Sequence, residues 1–254
     1  MNTNPYLRLL AFICGALFVL RAQPATVFPS DVQAPAAEFL QAVCPGQADP
    51  GGQLACTCPP NSGLYVDGYS WKLAGVTRGH FVSPASDDAV LSMDGCEPHS
   101  ENWGGTVLLT RKAGGWVKDW YKPGVVTSQC RKVELQDHRQ ILVCMGVSGS
   151  MGASNTELYV EDLLRPGATL MAEGEAPFFQ VNDDVLACGT DGVITHSTIE
   201  SVRFSDALPP AISVTASLGK GPAAGCKPPP LTRFLFEFAF DGRDYQLGPV
   251  RSAP

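Results

Sequence analysis

From Leu64 onward, apolar and polar positions alternate along the chain. Ile212 to Leu218 (ISVTASL) and Phe234 to Phe240 (FLFEFAF) place apolar side chains at every second residue. That spacing predicts strands with one face on a core, because successive side chains of a strand point to opposite sides. GTVLLTR, RKVELQ, QILVCMGV and TELYVEDL add four further strand candidates. Between the first two strands, GKGPAAGCKPPPLTR has no helical pattern and is predicted to be a long irregular connection. The one helix signal comes earlier, in APAAEFLQAV. There Phe39, Leu40 and Val43 share a face, and Cys44-Pro45-Gly46 stops the pattern. The alternation predicts an all-β protein.

These strands recur in a fixed order. HFVSPASDDAVLSMDGC, RKVELQDHRQILVCMGV and PFFQVNDDVLACGTD each pass from one apolar run to a second through an acidic turn. The turns fall at Asp87-Asp88, Asp137 and Asp183-Asp184, and a fourth, in SVRFSDALPPAISVTASLG, falls at Asp206. Their spacings are about 50, 46 and 22 residues, so the last one breaks the period. Repeats of roughly 40 to 50 residues with four strands each predict a propeller-like array of about four antiparallel β-sheet repeats. The physical reason is that one four-stranded sheet cannot bury both of its faces and needs neighbours stacked on it. A β-sandwich whose hairpins merely look alike is the alternative.

WKLAGVTRGHFVSPASDDAVLS resembles the start of an FG-GAP or VCBS repeat, the blade unit of integrin-alpha-like propellers. Gly79, His80, Phe81, Asp87, Asp88, Val90 and Leu91 occupy the equivalent places. The resemblance implies a propeller blade and raises calcium as a cofactor, since the family's acidic loop holds that ion. Val82-Ser83-Pro84-Ala85-Ser86 stand where most of the ligands belong, and calcium needs six or more oxygens. The expectation is therefore no cofactor.

The N-terminus changes the compartment. Arg8 precedes twelve apolar or small residues, Leu9 to Leu20, followed by Arg21-Ala22-Gln23. A charged start, a short apolar core and a small residue at its end predict a signal peptide over residues 1–22, cleaved near Ala22. A retained membrane anchor is the alternative, and twelve residues are short for a span of about 20. The divisions that follow are a leader with a short helix and a Cys-rich loop over 23–60 and a β-repeat domain over 61–254. The expected location is secreted or periplasmic.

Of nine cysteines, loss of Cys14 leaves eight, an even number that predicts disulfides in an exported chain. Cys130 and Cys144 flank two β-like runs, so a hairpin would set them opposite one another. Cys44 with Cys56 or Cys58, and Cys188 with Cys226, are further pairs suggested by proximity and remaining count. Cys56-Thr57-Cys58 has one intervening residue, too few for the usual zinc spacing, and the four histidines are scattered, so no metal site is expected.

A net charge of −7 argues against nucleic acid, which needs clustered Lys and Arg. Catalytic signatures are weak throughout. Gly146-Val147-Ser148-Gly149-Ser150 approaches a nucleophile elbow but has Ser150 where glycine belongs, and it leads to a strand. It reads as a loop. Gly219 to Gly225 is glycine-rich, yet CKPPP follows where a phosphate-binding helix would start. The acidic pairs Asp87-Asp88, Glu161-Asp162 and Asp183-Asp184 are adjacent on the chain. Neighbours on a strand face opposite ways, so each pair by itself lacks the geometry of a glycosidase. His80, His99, His138 and His196 read as solvated loop residues. In WVKDWY, Trp116 and Trp120 are predicted to share one strand face and to pack in the core.

These readings favour an exported non-catalytic binding or scaffold protein. Recognition of a protein or carbohydrate is expected on loops such as 95–105, 146–156 and 219–230. The competing function is a secreted hydrolase with acidic residues contributed by separate repeats. A third reading is an incomplete ring whose open sheet edge recruits a second copy.

Overall fold

The computed structural model describes residues 27–46, 54–59, 70–96, 104–150, 153–164, 177–185, 192–223 and 227–253. The predicted signal peptide and Cys188 with Cys226 lie outside them. The alternating stretches form thirteen strands among these residues, and one short helix precedes them. Strands β1 (Ala55–Thr57), β2 (Ser70–Gly79), β3 (Asp88–Gly95), β4 (Thr106–Lys112) and β5 (Gly115–Lys122) make the first sheet. Strands β6 (Cys130–Glu134), β7 (Gln140–Ser150), β8 (Ala153–Glu161) and β9 (Phe179–Asp183) make the second. Strands β10 (Val193–Phe204), β11 (Ile212–Pro222), β12 (Thr232–Phe240) and β13 (Tyr245–Ser252) make the third. Every neighbour pair is antiparallel and consecutive in sequence. The protein is all-β.

Three sheets stand where the turns predicted about four repeats. The turns at Asp87-Asp88, Asp137 and Asp206 each precede the second strand of a four-stranded run, β3, β7 and β11. Asp183-Asp184 has a different place, at the joint between the second and third sheets. The Asp184 N–H donates to the Thr195 carbonyl at 3.0 Å, and the Ser197 hydroxyl donates to the Asn182 carbonyl. The turn whose spacing broke the period, Asp206, occupies the equivalent position, and the better-spaced one does not.

Both faces of the second sheet are buried. Val133, Ile141, Val143, Leu158, Val160, Phe179 and Val181 pack against Ile199, Val202, Ile212, Val214 and Phe238 of the third sheet. On its other side, Cys130, Leu142, Cys144 and Tyr159 meet Phe81, Val90 and Leu108 of the first. The two sets alternate along each strand, as the two-residue repeat requires. The far face of the first sheet is covered by α1 (Ala37–Val43), whose Phe39 and Leu40 are buried with Leu91, Met93, Val107 and Leu109. The far face of the third is polar. Ser217 donates to Glu200 there, and Arg233 and Arg251 reach Glu200 and Glu237 at 2.7 and 3.3 Å.

Residues 27–33 tie the three layers together. The Val202 N–H of the third sheet donates to the Val27 carbonyl at 2.9 Å. Asp31 N–H donates to the Cys130 carbonyl, and Lys132 N–H donates to the Asp31 carboxylate, both at 2.8 Å, on the second sheet. Gln33 exchanges two backbone bonds with Val76 of the first. Val32 packs so closely over Gly75 that a Cβ there would lie 2.5 Å from its methyl carbon. The predicted leader is thus a strap across the sheets, with Phe28 3% exposed in the core.

Three disulfides are present. Cys130 and Cys144 are paired across β6 and β7, with Cα atoms 4.1 Å apart. Cys44 joins Cys56, fastening α1 to β1. Cys58 joins Cys96, which the sequence reading did not select as a partner. Spacing along the chain could not find that pair, because β2 lies between β1 and β3 and sets Cys56 and Gly95 on either side of Trp71.

Two glycine-containing stretches read as loops are strand. Gly146 to Ser150 continues β7, in register with β8 to Ser150 opposite Ala153. Lys220 to Pro222 continues β11 opposite β10. A close neighbour requires glycine at 219 and crowds position 221. A Cβ at Gly219 would lie 2.6 Å from the Pro230 carbonyl oxygen, and one at Gly221 would lie 3.0 Å from Pro229 Cβ. Gly219→Ala is therefore expected to lose about 2 kcal/mol of stability, as overpacking does. Gly114→Ala, where a Cβ meets nothing within 4 Å, should stay within about 0.5 kcal/mol. Denaturant midpoints of the two variants check the contrast.

Candidate functional site

The acidic turn that carries the FG-GAP resemblance is organised around Asp88, which is fully buried. Phe81 and Val82 N–H groups donate to its Oδ2 at 2.7 and 2.8 Å, and the Ser86 hydroxyl lies 2.5 Å from the same oxygen. The Thr110 hydroxyl donates to Oδ1 at 2.9 Å. The short turn Val82-Ser83-Pro84-Ala85-Ser86 brings the Phe81 and Val82 N–H groups onto the carboxylate, and Phe81 anchors the turn between the first two sheets. The oxygens that the resemblance would give to calcium accept protein hydrogen bonds instead. Asp87, next along the chain, is exposed. Among the described residues, no group of three or more His, Cys, Asp or Glu side chains is placed to hold a metal ion.

The other acidic pairs and histidines are dispersed. Asp162 receives Arg139 as a fork, at 2.6 and 3.1 Å, while Glu161 is buried near Lys122 between the first two sheets. Burial pulls the Lys122 ammonium below the usual lysine range, and the Glu161 charge partly opposes that. Burial also holds the Tyr159 phenol well above its ordinary value, helped by the charges of Glu161 and Glu157, and its hydroxyl donates to the Val126 carbonyl. His196 faces Asp183 at 3.1 Å, and His138, at a left-handed φ of 65° in the β6–β7 turn, faces Glu134 at 2.7 Å. The His80 ring nitrogen meets the Ser86 carbonyl. His99 lies outside the described residues.

Trp116 and Trp120 lie on opposite faces, against expectation. Trp120 pairs with Leu108 and Lys118 with Leu109, so Asp119 is an extra, bulged residue. One extra residue reverses the alternation beyond it. Trp116 consequently packs on Phe39 of α1, ring centroids 5.2 Å apart, whereas Trp120 packs between the first two sheets. Both are part of the packing, as expected.

Around Trp116, the sheet rim has a composition that the linear sequence hid. The Arg78 guanidinium lies 5.7 Å from the Trp116 ring centroid and 5.0 Å from that of Phe39. The Arg111 guanidinium lies 5.2 Å from the same Trp116 ring. Such distances are those of cation–π attraction. Arg78 pairs with Glu38, and both side chains are about half exposed. Arg111 is exposed, its backbone fixed by β4 pairing and by donation to the Asp87 carbonyl at 2.8 Å. Arg78, Arg111 and Trp116 come from β2, β4 and β5, so no motif in sequence marks the cluster.

The predicted recognition loops are present in part. Residues 97–103, 151–152 and 224–226 lie outside the described residues, and 146–150 and 219–222 are strand. Among the described residues, no helix is long and apolar enough to cross a membrane. No protein-family model, curated protein or solved structure matches this chain.

Proposed function

We propose that this is an exported, non-catalytic binding or scaffold protein whose recognition surface includes the rim of the first sheet. The observation that carries this reading is the Arg78–Trp116–Arg111 cluster, set on three strands of one sheet and exposed at two of its three members. Arg and Trp are the side chains that most often dominate recognition surfaces. Hydrogen-bonded strands hold their backbones in place, which lowers the ordering cost on binding. Export is supported by the signal-like first 22 residues and by three disulfides, which persist in oxidising compartments. Three consecutive meanders stacked face to face support the finer, propeller-like architecture.

The test uses the oxidised protein from Gln23 onward. Printed arrays of glycans and peptides are probed with it, and the same preparation is assayed for hydrolysis of chromogenic esters, glycosides and peptides. Saturable binding without turnover is the expected result. Turnover that is lost on replacing a described carboxylate would put the secreted-hydrolase reading in its place.

A further inference from the structure

We infer that Arg78, Arg111 and Trp116 form a binding site for an anionic ligand group bearing two or more oxygens, a carboxylate or a sulfate. This deepens the binding reading above and rests on it. Two guanidinium groups approach one indole ring, at 5.7 and 5.2 Å from its centroid, yet a single carboxylate, Glu38, pairs with them among the described residues. Arg111 makes no ion pair there, and Lys112 beside it is also exposed. Among the described residues, one positive charge at the cluster is thus left without a protein counter-charge, in a chain whose net charge is −7. A structural role alone would be served by one arginine on the ring.

The geometry suits an oxyanion for three reasons. A planar guanidinium presents paired N–H donors that match carboxylate or sulfate oxygens. Cation–π contact with Trp116 restrains each guanidinium, so less freedom is lost when the anion arrives. The β2 and β4 backbones that carry the two arginines are joined through β3, which fixes their separation. Glu38 is the internal competitor. Being about half exposed, it can be displaced from Arg78 without uncovering a buried charge.

The experiment titrates the oxidised protein with sodium sulfate, following tryptophan fluorescence against sodium chloride at equal ionic strength. Heparin and polygalacturonate are tested in parallel, to separate a sulfated from a carboxylated polymer and both from the free anion. Saturable binding of at least one of the three probes is expected. Arg111→Gln should weaken it by about tenfold or more, and Arg111→Lys should recover only part, because an ammonium lacks the fork. Arg78→Gln should weaken it comparably, with each variant's unchanged melting temperature showing that the fold is retained. Absence of saturation with all three probes, or undiminished binding by Arg111→Gln, overturns the inference. If arrays still reveal a neutral ligand in that case, the binding reading stands and only its anionic chemistry falls.

Discussion

Replacing Asp88 by alanine is expected to destabilise the protein by about 4 kcal/mol. The side chain is fully buried, and its carboxylate accepts the Phe81 and Val82 N–H groups and the Thr110 hydroxyl, with Ser86 beside it. Alanine leaves the Phe81 and Val82 N–H groups without their acceptor, whereas the Thr110 and Ser86 hydroxyls keep Asp119 and the Ser83 carbonyl, and each buried donor without an acceptor costs about 1–3 kcal/mol. Asp88→Asn keeps the shape and one acceptor oxygen but loses the charge, so about 2 kcal/mol is the expected cost. Urea unfolding of both variants, with a common slope, measures the difference. A loss below 1 kcal/mol for Asp88→Ala would mean that the turn finds other acceptors, and the structural role assigned to Asp88 would be wrong.

Removing the Cys58–Cys96 disulfide, as Cys58→Ala with Cys96→Ala, should cost about 4 kcal/mol. The bridge closes 38 residues, against 14 for Cys130–Cys144 and 12 for Cys44–Cys56. In the chain-entropy account a longer closed loop restrains the unfolded chain more, so the two shorter bridges should each cost about 3 kcal/mol. Thermal unfolding of the three double variants tests the order. Should the Cys130→Ala, Cys144→Ala protein prove the least stable, strain or packing of the sulfurs in the core between the first two sheets would outweigh loop length. Cys130 and Cys144 are both fully buried there, which makes the comparison informative.

The candidate site was legible only in fragments. Asp87-Asp88 was visible as a turn former, since a short acid bonds nearby backbone, but its burial depended on Phe81 docking between sheets. The Trp116–Trp120 spacing implied one face, and the bulge at Asp119 overturned it. The signal for that bulge was the polar pair Lys118-Asp119 interrupting an aromatic strand, which period-two reasoning alone cannot distinguish from an exposed face. Arg78 and Arg111 are 33 positions apart, and nothing in the linear chain links them. Only the β2–β3–β4 register sets them at one ring.

By itself the sequence determined the local choices. Period-two alternation in ISVTASL and FLFEFAF selected strands, and proline with glycine after Cys44 ended α1, which stops at Val43. The hairpin flanked by Cys130 and Cys144 was equally local, because opposition across a short turn needs no knowledge of the remaining chain. Tertiary structure decided which hairpins share a sheet, where residues 27–33 cross all three layers, and which cysteine meets Cys58. Each of these depends on contacts between segments far apart in the chain. Such contacts form because a two-faced sheet must cover both apolar sides, and the alternation that makes a strand says nothing about which neighbour will cover it.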